Sequence, residues 1–328
     1  MERFLIIRTS SLGDIVHTLP ALAVLRKHRP QAEIRWVVGR KGREILEWVE
    51  GLNGLIVTDE PGWIKILRGR EQTALDFQGL FKSGMIALES RSRARIGFHK
   101  KNLREPVSRF FYTRQAAEFP ETDHVIRKNI HLLEPLGIRD TMLEFPLRIP
   151  EEKRRAIRDK ARELGWDESR RIVLFNVGAA WPSKRWFPDR WSAVLEAVAP
   201  LGVFPLLLWG TENERAVAAE IREATGVPFV PFLSLQETMA LIGESALLVS
   251  GDTFALQAAC ALAVPVVGIF GPTNPRRNGP FLARDRAIYH EIDCSLCYKR
   301  GCESLACLKA VTADEVAERV LQALAEHV

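Results

Sequence analysis

The stretch FLIIRTSSLGDI (Phe4–Ile15) decides the fold. Its run Phe4–Arg8 is short, apolar and rich in branched side chains, as expected of a strand buried on both faces. It breaks into a hydroxyl-rich loop with Gly13 that opens a helix. A turn of this kind lies at the carboxyl edge of a parallel sheet, where open α/β sheets bind ligands. The three spaced glycines of a dinucleotide site are missing, so no nicotinamide site is expected. Asp14 either caps the helix or takes a proton from a substrate in the crevice.

Outward from this turn, apolar runs alternate with helical patterns along the whole chain, which predicts repeated βα units around two parallel sheets. In the first half the strands are expected at Phe4–Arg8, Glu33–Val38, Gly54–Thr58, Thr73–Phe77 and Ala94–Phe98. Those of the second half are expected at Ile172–Val177, Phe204–Trp209, Pro228–Phe232, Leu247–Ser250 and Val266–Phe270. Leu143–Glu152, with Pro146 and Pro150, reads as a linker, giving domains 1–150 and 151–328. A capping box at Thr312-Ala-Asp-Glu315 starts a closing helix whose stripe is Val316, Val320, Leu321 and Leu324. No internal repeat or low-complexity tract interrupts the pattern.

The 328 residues are 47% hydrophobic and 27% charged, enough for about two cores, which excludes disorder and fibrous repeats. No window approaches the roughly 18 uncharged apolar residues of a membrane span, and the start has no signal-peptide pattern. A cytoplasmic location is expected.

Of 46 Lys/Arg, 25 fall in residues 1–150 against 18 of 41 Asp/Glu; the remainder of the chain holds 21 against 23. Residues 91–114 carry Arg91, Arg93, Arg95, Lys100, Lys101, Arg104, Arg109 and Arg114 with one acid, Glu105. The first half should therefore attract an anionic partner, unless this is simply a solvated basic face. Phe98, Phe110, Phe111 and Tyr112 lack the regular interleaving of a stacking platform, which speaks against nucleic acid.

In the second half, Gly178-Ala-Ala-Trp-Pro-Ser-Lys184-Arg185-Trp186 combines small residues with cations suited to phosphate, or is a surface loop with packed tryptophans. A helix beginning at Gly251-Asp252-Thr253 would aim free amides into the same crevice, with Asp252 as a rival cap. Gly271-Pro-Thr273-Asn-Pro follows the next strand. Three such loops at one edge favour a phosphate-bearing ligand.

Cys294, Cys297, Cys302 and Cys307 cluster near the end of the chain. They read either as a structural tetrathiolate zinc site or as free thiols, with no catalytic role. His17 and His124 are read as structural. The nucleophile elbow and the Walker loop are both missing, which removes the commonest hydrolase and P-loop classes.

Taken together, FLIIRTSSLGDIVHTLPAL, DFQGLFKSG (Asp76–Gly84), LREP with FFYTR (Leu103–Arg114), NVGAAWPSKRWFPDRW (Asn176–Trp191) and SGDT with IFGPTNP (Ser250–Pro275) resemble the ADP-heptose:lipopolysaccharide heptosyltransferases of glycosyltransferase family 9. The opening and the Leu103–Arg114 segment look most like the members that add the first heptose to Kdo of the inner core. The resemblance implies a GT-B fold, two Rossmann-like domains facing across a cleft, with acceptor on the first and nucleotide sugar on the second. It also implies an inverting, metal-independent glycosyltransferase acting as a monomer at the cytoplasmic face of the inner membrane, on a Kdo-bearing lipid A acceptor.

Carried over residue by residue, Asp14 is the base and Lys184 holds the diphosphate. Gly178, Arg185, Asp252, Thr253, Gln257 and Thr273 would line the donor, and Glu214, with Glu212 as competitor, the ribose. Ser10, Ser11, Gly13, Lys82, Arg104 and Arg109 would meet the acceptor. The family pattern after Asp252-Thr253 continues with Gly and then His; this chain has Phe254 and Gln257. Those departures keep open a different nucleotide sugar, or a non-catalytic nucleotide-sugar or zinc-binding protein.

Overall fold

The computed structural model describes residues 1–68, 72–281 and 286–326. The chain separates into two compact units, the first Met1–Arg148 and the second from Ile149 onward, each with its own parallel sheet. Residues 327 and 328 of the expected second domain lie outside the described residues.

In the first unit the strands are β1 (Arg3–Ile7), β2 (Glu33–Val38), β3 (Gly54–Val57), β4 (Thr73–Asp76), β5 (Ala94–Gly97) and β6 (Arg114–Gln115). They run in the order β3-β2-β1-β4-β5-β6, every neighbouring pair parallel. This order reverses direction between β1 and β4, the point where doubly wound sheets open a crevice for ligands. Ile7 stands opposite Val37 on one side and Asp76 on the other, so the loops after β1 and β4 leave the sheet side by side. Leu5, Ile7, Val37 and Ile56 are fully buried or nearly so, because helices cover both faces. Helix Leu12–His28, buried from Ile15 to Leu25, is fastened to helix Val125–His131 by Asn129, whose amide donates to the His17 carbonyl and to Thr18 Oγ1 at 2.9 and 3.2 Å.

The second unit contains β7 (Ile172–Asn176), β8 (Phe204–Leu208), β9 (Leu247–Gly251), β10 (Val266–Ile269) and β11 (Arg286–Ile288), in the order β11-β10-β9-β7-β8. Its reversal lies between β7 and β9, where Asn176 stands opposite Ser250 at the carboxyl ends. Helix Glu151–Glu163 opens the unit.

Three expectations need correction. Pro228–Phe232 is no strand: it makes an isolated parallel bridge between Phe229 and Leu207, because Pro228 and Pro231 have no N–H to give a ladder. The capping box at Thr312 forms only in half. Thr312 Oγ1 accepts the Glu315 amide at 3.2 Å, but the Glu315 carboxylate pairs with His290 at 2.7 Å. In helix Ala313–Ala325 the buried stripe is Val316, Ala317, Val320, Ala323 and Leu324, while Leu321 is exposed.

Candidate functional site

The loop after β1 is organised by Arg8. Its guanidinium reaches the Phe77 carbonyl beyond β4 and pairs with Asp14 Oδ1 at 2.7 Å. Thr9 strengthens the junction, its amide and hydroxyl both donating to Gln78 Oε1 at 3.0 and 2.8 Å. Asp14 sits in the first turn of helix Leu12–His28, and its Oδ2 accepts the Ser11 amide and hydroxyl at 3.2 and 2.9 Å. The two oxygens of the carboxylate thus face different partners, Ser11 at the helix start on Oδ2 and Arg8 on Oδ1. Burial alone would raise its pKa. The Arg8 guanidinium, the nearby His17 and the two bonds from Ser11 outweigh that and hold it at about 2. The group is ionised at any ordinary working pH.

Below this loop lies a group that sequence reasoning missed. Asp76, fully buried at the end of β4, accepts Ser83 Oγ and Tyr112 OH at 2.7 Å each and the amides of Gln78 and Gly79 at 2.8 and 3.2 Å. Burial pushes its carboxyl up against those four bonds. It ties the β4 loop, helix Phe81–Glu89 and the segment ending at Tyr112 into one piece. The available signal was a carboxylate closing an otherwise apolar strand. Of the acceptor-side expectations, Ser10 and Ser11 are exposed beside Asp14 and Gly13 is half-buried. Lys82, Arg104 and Arg109 are exposed on the neighbouring segments.

In the second unit the loops after β7, β9 and β10 converge. Asn176 Nδ2, at the end of β7, donates to Ser250 Oγ, Thr253 Oγ1 and the Gly178 carbonyl at 2.9, 3.1 and 3.2 Å. Lys184, in the turn Pro182–Lys184, places Nζ 2.6 Å from Asp252 Oδ2 and 4.4 Å from the Trp181 ring centroid. Thr273 Oγ1 donates to the same Asp252 oxygen at 2.7 Å. Asp252 is therefore not the helix cap: Thr253 holds that position before helix Phe254–Ala261. Arg185 folds its own loop shut by donating to the Ala179 carbonyl at 2.9 Å.

Glu214 is the acid the structure brings to these loops. It is buried, accepts the Gly210 amide at 2.8 Å, and fills the space beside Gly178, where a Cβ would lie 2.3 Å from its carboxyl carbon. Glu212 points to solvent and pairs with Arg215. Gln257 is buried and gives its amide to the Asn278 carbonyl at 2.7 Å, while Phe254 is half-buried at the helix start.

Of the two readings of the cysteines, the structural zinc finds no support. Cys294, Cys297 and Cys302 are exposed and Cys307 is buried, and among the described residues no three His, Cys, Asp or Glu side chains gather closely enough to hold a metal. Burial chiefly, with smaller contributions from Cys297 and Cys294, pushes the Cys307 thiol up. Their segment instead braces the loops after β7 and β10. Ser183 Oγ and N donate to the carbonyls of Lys299 and Arg300 at 2.6 and 3.2 Å, and the Tyr298 amide donates to the Pro272 carbonyl at 3.1 Å.

Two doubly wound units with polar loops at their switch points are the elements of a GT-B fold, and the solved structures agree. The ADP complex of the Escherichia coli heptosyltransferase WaaC superposes with a TM-score of 0.77 at 21% identity, covering 99% of both chains. A family 9 glycosyltransferase from Veillonella parvula gives 0.84 at 23% identity over 99% of this chain and 97% of its own. The sequence profile of glycosyltransferase family 9 (heptosyltransferase) matches residues 63–307. The chain belongs to that family and is a glycosyltransferase. Lipopolysaccharide heptosyltransferase 1 of Pseudomonas aeruginosa is 27% identical over 92% of this chain and 87% of its own length, and that of Escherichia coli K12 25% over 83% and 89%.

Proposed function

We propose that the chain transfers a heptose from ADP-heptose to the Kdo region of a lipopolysaccharide inner-core precursor, with inversion. The observation that carries the chemistry is Asp14, an ionised carboxylate at the switch point of the first sheet with one oxygen committed to Ser11 and the other to Arg8. An acceptor hydroxyl that takes Arg8's place at Oδ1 gives its proton to that oxygen as its own oxygen attacks the anomeric carbon. The bond from that carbon to ADP breaks on the opposite face, and ADP leaves with the electron pair. Lys184 meets the charge developing on the leaving diphosphate, a task a divalent ion performs in other transferases.

In this reading the first unit takes the acceptor, through Ser10, Ser11, Gly13, Lys82, Arg104 and Arg109, and the second takes the donor. Gly178, Arg185, Asp252, Thr253 and Thr273 line the diphosphate and sugar, Glu214 the ribose. The enzyme works as a monomer at the cytoplasmic face of the inner membrane. The names of the Pseudomonas and Escherichia relatives support the substrate class, and the match over 92% and 83% of this chain supports its transfer here.

A second reading, another nucleotide sugar, is favoured by Phe254 at the helix start and by Gln257, which is uncharged and gives one amide hydrogen to the Asn278 carbonyl. Calorimetric titration with ADP, a non-transferable ADP-heptose analogue, ADP-glucose and UDP-GlcNAc decides between them. Preference for the heptose analogue upholds the first reading, and preference for another sugar the second. No binding by any of them overturns both.

A further inference from the structure

Helix Phe81–Glu89 is amphipathic in the wrong sense for a solvated surface. Ser83, Gly84, Ile86 and Ala87 face inward, whereas Phe81, Met85 and Leu88, spaced to share one face, are 49%, 37% and 42% exposed. Beside it the turn Pro106–Phe111 leaves Val107 48% and Phe110 72% exposed. The two segments form one rigid surface. The Phe81 amide donates to Glu105 Oε2 at 2.6 Å, the Phe81 and Phe111 rings meet edge to face at 5.2 Å, and Phe111 presses on Gly84 where a Cβ would lie 2.4 Å away. Exposed apolar side chains held this firmly mark an interaction surface.

Charge says what covers it. Lys82, Arg91, Arg93, Arg104 and Arg109 are exposed on the same segments and their flanks. Of the nearby acids, Glu105 is committed to the Phe81 amide and Glu89 pairs with Arg68 at 2.6 Å. Apolar side chains that penetrate the headgroup boundary, ringed by cations that meet anionic lipid, are the two components of interfacial docking. Among the described residues no helix is long and apolar enough to cross a membrane.

We infer that the face formed by Phe81, Met85, Leu88, Val107 and Phe110 docks the protein onto an anionic bilayer. This deepens the functional reading and rests on it for its purpose: an acceptor held in lipid needs its enzyme at the lipid surface.

The test is co-sedimentation of the full-length protein with phosphatidylcholine vesicles, with and without phosphatidylglycerol. The parent protein should bind the anionic vesicles, less so as salt rises, and its amide exchange should slow over residues 81–89 and 106–111 on binding. The triple variant Met85→Gln, Leu88→Gln, Val107→Ser should lose more than about tenfold in partitioning, since each change removes several buried methylene equivalents. Its transfer to a delipidated, water-soluble acceptor should match the parent's, and its transfer to a vesicle-embedded acceptor should fall. Vesicle binding unaffected by the triple change, or no slowing of exchange in the parent, overturns the proposal. So does a parent dimer that the triple variant abolishes while vesicles are ignored, which would assign the face to a second copy of the chain. Absence of transfer to either acceptor strikes the heptosyl reading alone, because vesicle binding is read without turnover.

Discussion

Lys184 Nζ lies 2.6 Å from Asp252 Oδ2, and Thr273 holds that same oxygen from the other side. In the proposed function, a cation kept at these loops by a carboxylate can change partner when a diphosphate arrives, and Asp252 still keeps its bond from Thr273. Replacing Lys184 with Ala removes the charge and leaves the half-buried loops otherwise intact. ADP affinity should fall by roughly tenfold to a hundredfold, the scale of one charge-assisted contact, as measured by calorimetry.

Asp14→Asn keeps the shape and one acceptor oxygen but cannot take a proton. Transfer should drop by about 10²- to 10⁴-fold, the usual contribution of a general base, with ADP affinity unchanged. Equal loss of donor binding in the Asp14 and Lys184 variants would overturn the division of roles.

Arg8→Met removes the first of the influences that hold the Asp14 carboxyl at about 2. Because the folded-state value is depressed below the ordinary 3.8, this carboxylate contributes stability that is present above that value and is lost as pH falls through about 2. The variant should lose stability at neutral pH, and the acid limb of its kcat/KM profile should move upward. A limb that stays in place would mean Arg8 does not tune the base.

Tyr112→Phe deletes the hydroxyl that donates to buried Asp76 at 2.7 Å. Three donors remain on the carboxylate, so the cost should be about 1–3 kcal/mol in urea unfolding, with the fold retained.

Thiol titration should divide the cysteines. Cys294, Cys297 and Cys302 are exposed and should react at once, while buried Cys260 and Cys307 should wait for unfolding. A chelator should leave the melting temperature unchanged.

Much of this architecture was legible because a strand buried on both faces leaves an unmistakable apolar run: β1, β2, β4, β7, β9 and β10 lie where their runs predict, within a residue or so. Two strands, β6 at two residues and β11 at three, are too short to leave any periodicity. Pro228–Phe232 shows the opposite error, since apolarity alone does not supply the N–H groups that two prolines remove. In the candidate site, Asp14, Lys184 and Asp252 could be read from their places after strands. Arg8 and Asn176 could not, and Asp76 left only its carboxylate at the end of an apolar strand, because their importance lies in groups far along the chain that they reach: Phe77 for Arg8, Tyr112 for Asp76, Ser250 and Thr253 for Asn176. The cysteine spacing suggested a metal; among the described residues no three such side chains are grouped to hold one.

The cysteine-bearing segment has one more consequence. Through Lys299, Arg300 and Tyr298 it is bonded to Ser183 and Pro272, the immediate neighbours of Lys184 and Thr273. Whatever stiffens the loops around a diphosphate stiffens this exposed strap as well, so the rate at which a protease nicks residues 294–302 becomes a gauge of donor occupancy that needs no acceptor and no turnover.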